Sequence, residues 1–467
     1  MDFLSYKFIF FLILTPVVFQ AVKAHAFRKW FLLLASFAFY GFVFKEISCV
    51  KFAWQAAWII APSLAVFYCA KVNTRFSFYL GLILTLAVFL SFKYIPLPEF
   101  RGVELLVPVG LSFYSFRLIS YLADVRKGEI EPETDLVYFL IYVSFFPLVI
   151  SGPIQRASDF LPQLREPKRL DRGRTDLGLK QIFWGLVKKV VIADNLAVLV
   201  KMVFARDASF GGFVNVLAVI AFSLQIYCDF SGYSDIAIGL ARLFGFDIKE
   251  NFRVPYCSTT FKEFWSRWHI SLSTWFRDYV YFPLGGGRCG KFRRSLNIMI
   301  TFLLSGLWHG STLTFIFWGG LHGLGLVMEK LFFPDKTGPK HMLAKILWAV
   351  FVVILVLFGW LFFKAESFSR ALTMLTASLR GIGQPLTYVS KGFRDLLGES
   401  NGIVFVIKLV IPGIFVFATE HCLRNRDIPA AFAKMNVPIT FLFYLVTLSF
   451  VLLFHAMEQQ ELIYGKF

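Results

Sequence analysis

Apolar runs recur from one end of this chain to the other, and that recurrence leaves few folds open. Phe8 to Val22, Trp30 to Phe44, Phe52 to Ala70, Phe76 to Leu90, Leu136 to Ile150, Val214 to Ile226, Ile346 to Phe363, Ile403 to Ala418 and Ile439 to Phe454 are each largely apolar. Several are shorter than the ~20 residues of an upright span, so they borrow flanking sequence, tilt, or cross only part-way. The pattern predicts an all-α polytopic membrane protein with about 11 to 13 membrane segments. Composition agrees: 57% of the 467 residues are hydrophobic and only 17% are charged, against about 25% charged in an average soluble domain.

Met1 to Ala24 is apolar and ends in small residues, as a secretory signal does. Only Lys7 precedes its apolar core and further runs follow at once, so it reads as the first helix. Lys23, Arg28 and Lys29 follow that run, and Lys71 and Arg75 follow the third. The excess of basic residues places these loops in the cytoplasm and the N-terminus outside. Formal charge is +18. In a membrane protein this excess is topology signal and lipid-headgroup contact, with no nucleic-acid partner implied. Part of it is open to an anionic substrate, in the loop Arg156 to Lys180 and in the region Arg242 to Arg294.

Six cysteines lack paired spacing and any C-x-x-C, which argues against a disulfide framework or structural zinc. The longest polar intervals, around 155–180 and 381–401, are loop-sized. A single membrane domain over residues 1–467 is the simplest description.

Chemistry concentrates in two segments, Ser305-Gly306-Leu307-Trp308-His309-Gly310 and Phe317-Trp318-Gly319-Gly320-Leu321-His322-Gly323. Ionisable groups at membrane depth are costly and usually mark function. An imidazole, with an ordinary pKa near ~6.5, accepts and returns a proton at cellular pH. His309 and His322 are 13 residues apart. On one continuous helix that is about 220° of rotation and roughly 20 Å of rise, so they are not paired metal ligands there. H-E-x-x-H and G-x-S-x-G are absent, and no metal is expected. General-base catalysis by His322 survives. Gly319, Gly320, Gly323 and Gly325 clear side chains around it, either for close helix packing or to let two substrates reach one imidazole.

From Phe261 to Tyr279, apolar residues fall at helical spacing with Lys262, Glu263, Arg267, Arg277 and Asp278 mostly off the stripe. This predicts an interfacial helix ended by Gly285-Gly286-Gly287, with His269 at the edge of its apolar face. Asp229 and Asp235 bracket Gly232 and either line a tunnel or hold a helix end.

Taken together, Pro108 to Tyr114, Ser151 to Arg156, Tyr227 to Ala237, Phe264 to Tyr279 and the two histidine segments resemble the membrane-bound O-acyltransferase family. Within it they resemble the bacterial branch that O-acetylates alginate and peptidoglycan or D-alanylates teichoic acid. The resemblance covers residues 108–325. It implies a ring of tilted helices around a funnel or tunnel in the bacterial cytoplasmic (inner) membrane, with the acyl donor entering from the cytoplasm. His322 matches the family's catalytic histidine and is expected to act as base; His269 matches the second polar position of the catalytic centre, positioning substrate or donating to the developing charge; His309 lies in the Trp-His-Gly stretch as support or packing. The implied donor is acetyl-coenzyme A, with no permanently bound cofactor. The implied acceptor is a cell-envelope polysaccharide, reached through a periplasmic or extracellular acetyltransferase partner or directly. Alternatives are D-alanyl transfer to teichoic acid and a polysaccharide or lipid transporter whose histidines relay protons.

Overall fold

A computed structural model describes residues 5–43, 49–95, 99–100, 103–104, 107–205, 212–333, 341–380, 402–423, 428–456 and 462–463. The polar interval 381–401 lies outside them. The described chain is helical apart from loops and one two-residue antiparallel ladder pairing Glu99 with Glu104 and Phe100 with Val103. Each apolar run became helix, as hydrocarbon requires of a backbone that must satisfy its own hydrogen bonds. Among the described residues, five helices are long and apolar enough to cross a bilayer: Cys49–Val72, Arg75–Tyr94, Gly212–Leu243, Met342–Lys364 and Val437–Phe454. Tyr6–Ala21 is apolar but shorter. Other helices among the described residues are shorter, interrupted or carry polar groups.

Two compact units account for the contacts, one comprising residues 1–182, 233–251 and 461–467, the other residues 183–232 and 252–460. In the first, the run from Leu136 breaks at Phe145 into helices Leu136–Ser144 and Phe146–Val149, with Pro147 just inside the second. A break strands helix-end carbonyls. The fully buried Arg117 meets them, donating to the carbonyls of Tyr142 at 3.1 Å, Val143 at 2.9 Å and Leu148 at 2.9 Å. Asp235, within helix Gly212–Leu243 and not at its end, accepts from Gln181 at 3.3 Å in this unit.

The second unit carries the histidines. Its π-helical stretch, Val187–Ala193, holds two consecutive buried lysines. Lys189 donates to Asp194 and to Asp229, each at 2.7 Å, and Lys188 reaches Glu420 at 3.3 Å. Tyr227 also donates to Glu420, at 2.6 Å. Buried charges persist only when paired, so Asp229 is explained by Lys189.

Candidate active site

Three helices frame the site. Lys291–His309 and Leu313–Phe332 form a hairpin, and Met342–Lys364 packs against the second. The hairpin closes until backbones touch: a Cβ on Gly319 would lie 2.3 Å from the carbonyl oxygen of Phe302 and 3.2 Å from the Cα of Gly306. Gly319 therefore serves close helix packing. Gly323 likewise faces Met299 and Phe302, and Gly325 faces the Phe261 ring. The glycine that thins the wall beside the imidazole is one the motif reading missed. A Cβ on Gly359 would stand 3.0 Å from Nε2 of His322 and 3.3 Å from Cδ1 of Trp318.

His309 ends the first arm and His322 lies within the second. The chain reverses at Gly310, so their separation along one continuous helix does not apply. Both rings pack on Trp318, at 4.9 Å and 5.0 Å between centroids.

The expected interfacial helix from Phe261 to Tyr279 is not continuous. Phe261–Arg267 and Ile270–Phe276 are separate helices with Trp268 and His269 between them, followed by a π-helical turn, Arg277–Tyr281. His269 takes φ +43° and ψ +55°, a left-handed conformation that costs a non-glycine residue about 1–2 kcal/mol. The apolar spacing continued through this position, so periodicity gave no sign of the bend.

Glu329, on the helix of His322, holds the first short helix in place. Its carboxylate accepts the backbone N–H groups of Phe261 and Lys262, which are orphan donors at a helix start. Thr260 caps the same end by accepting from the Glu263 N–H at 3.0 Å. The helix then presents Phe264 stacked on His322 at 6.2 Å and 7° between planes, and Trp265 edge-on at 5.1 Å.

His322 is fully buried, and neither ring nitrogen has a protein hydrogen-bond partner. Its ring neighbours are Phe264, Trp265, Trp318 and Trp360. The indole N–H groups of Trp265, Trp318 and Trp360 are buried too, with no protein acceptor. Unsatisfied polar groups of this kind are rare in folded proteins. One imidazole and three indole N–H groups thus share one apolar cage.

His269 is also fully buried. It packs edge-on to Phe230 at 4.5 Å and near Trp308 at 6.3 Å, and no ring contact joins it to His322. Trp308 in turn meets His309 at 4.6 Å. The three histidines therefore lie in one connected set of aromatic rings, linked through Trp308 and Trp318. Arg267 pairs with Glu263 at 2.9 Å and Arg277 with Asp278 at 2.8 Å. Among the described residues, no group of three or more His, Cys, Asp or Glu could hold a metal ion.

The pattern for MBOAT, the membrane-bound O-acyltransferase family, matches residues 132–369, a span that contains all three histidines. The chain belongs to the membrane-bound O-acyltransferase family. It is 38% identical to the probable alginate O-acetylase AlgI of Pseudomonas putida over 76% of each chain. It is 30% identical to the peptidoglycan O-acetyltransferase of Helicobacter pylori over 95% of this chain and 92% of that one. Its identity to the teichoic acid D-alanyltransferase of Bacillus subtilis is 29%, over 69% of this chain and 84% of the relative. The protein is a multi-pass membrane acyltransferase.

Proposed function

We propose that this protein is an acetyltransferase of the bacterial cytoplasmic membrane, taking an acetyl group from acetyl-coenzyme A on the cytoplasmic side for O-acetylation of a cell-envelope polysaccharide. An extracytoplasmic partner completes the transfer, and the helices surround a tunnel through which acyl group and acceptor meet. The observation that carries the reading is His322: a buried imidazole with both nitrogens unclaimed by protein, in a cage with hydrogen-bond donors. The alginate- and peptidoglycan-acting relatives support the acceptor class.

A hydroxyl attacking a thioester carbonyl sheds its proton as the C–O bond forms. Neutral His322 takes that proton, help worth roughly 10²–10⁴-fold. When the tetrahedral intermediate collapses, the C–S bond breaks and the leaving thiolate recovers the proton from the imidazolium. His269 positions substrate from the neighbouring part of the cluster. D-alanyl transfer is the second reading, favoured by the Bacillus relative, and it uses the same chemistry with a different thioester.

The test is purified protein in nanodiscs with radiolabelled acetyl-coenzyme A, with and without envelope-fraction acceptors, comparing wild type with His322→Ala. Histidine-dependent acetyl transfer is expected. Folded protein that turns over no acetyl-coenzyme A with any acceptor would move the reading to D-alanyl transfer or to transport.

A further inference from the structure

The cage offers a donor for the carbonyl oxygen in a place the motif reading did not indicate. Trp318 precedes His322 by one helical turn, so both face the same side. Both rings pack on the same residue of the facing helix: Nε2 of His322 and Cδ1 of Trp318 lie 3.0 Å and 3.3 Å from the point where a Cβ on Gly359 would stand. In an indole Cδ1 is bonded to Nε1, so the ring edge bearing the N–H lies on the same side as Nε2 of His322. That N–H is buried and has no protein acceptor. His269, the donor suggested by the sequence, is not among the ring neighbours of His322.

We propose that the indole N–H of Trp318 donates to the acyl carbonyl oxygen while His322 removes the proton from the attacking hydroxyl. This role rests on the acyl-transfer reading above. As the hydroxyl oxygen bonds to the acyl carbon, the carbonyl π electrons move onto oxygen and the N–H holds the resulting negative charge. Collapse restores the C=O, breaks the C–S bond and returns the proton to sulfur. An indole suits the position because it donates without carrying charge, so it needs no counter-ion in an apolar cage, and its bond strengthens as charge develops on the oxygen.

The experiment measures acetyl transfer by the full chain in nanodiscs for wild type, Trp318→Phe and Gly359→Ala, with thermal unfolding of each. Trp318→Phe keeps an aromatic ring and loses the donor. Its kcat should fall roughly 10²–10³-fold, with KM for the thioester within about threefold. Gly359→Ala places a methyl against both Nε2 of His322 and the Trp318 ring and should abolish transfer. Near-wild-type kcat in folded Trp318→Phe, or full activity in Gly359→Ala, would each overturn the role. If Trp318→Phe does not fold, full activity in Gly359→Ala still overturns it. With wild type active and His322→Ala inactive, these outcomes leave the acyl-transfer reading standing; an inactive wild type would overturn both.

Discussion

Glu329 and Phe261 are 68 residues apart in sequence, yet the carboxylate of one accepts the backbone N–H of the other at 2.5 Å. This bond ties the helix that supplies Phe264 and Trp265 to the helix that carries His322. Glu329→Ala leaves buried donors unpaired and should cost about 1–3 kcal/mol, with kcat falling more than stability because the cage loses its wall. Glu329→Gln keeps one acceptor and should recover part of both. Thermal unfolding and acetyl transfer measured together would check this. An Ala variant as stable and active as wild type would remove the role.

His322 sits where an apolar side chain would be better satisfied. His322→Leu, of similar volume, should therefore unfold at the same temperature as wild type or higher, while transfer falls about 10²–10⁴-fold. Proteins often give up stability at a working site in this way. A fall of several degrees in unfolding temperature would show that the ring is structural.

The lysine pair of the π-helical stretch makes the opposite prediction. Lys189→Met strands two buried carboxylates, Asp194 and Asp229, and should cost about 3–5 kcal/mol. Adding Asp229→Asn should restore a substantial share. Unfolding in mixed detergent reads both, and a single variant with unchanged stability would mean that the network holds nothing.

Acid should loosen a loop of the first unit. Burial raises the pKa of Asp247, but hydrogen bonds and charges from Lys168 at 2.6 Å and Arg174 at 2.9 Å outweigh it and hold the carboxyl below its ordinary value of 3.8. A depressed carboxylate pKa stabilises the fold above the unfolded value, and that contribution is lost as pH falls from about 4 through the lower folded value. Limited proteolysis between residues 165 and 175 should therefore increase below about pH 4 in wild type. In Asp247→Asn it should already be raised at neutral pH and change less with acid. Identical pH profiles would refute this.

Helix positions were largely legible in the sequence because a bilayer imposes one rule on every apolar run. The Ile346 to Phe363 run is helix Met342–Lys364, and the Ile439 to Phe454 run is helix Val437–Phe454. What escaped was long-range or local to one torsion. The bend at His269 depends on a single φ angle, and the partnership of Glu329 with Phe261 joins distant residues. Gly359 stood in an apolar run with no polar neighbour to draw attention to it. Lys188 and Lys189 could have been noticed, since adjacent lysines inside an apolar stretch require buried partners. Their partners at 194, 229 and 420 could not have been read from spacing.

At the Gly306–Gly319 crossing, the two arms meet main chain to main chain, with the Cα of Gly306 only 3.2 Å from a Cβ built on Gly319. No rotamer change can widen or narrow such a junction. The hairpin is therefore a fixed jaw, and any widening beside His322 must come from the Met342–Lys364 helix or the two short helices around His269.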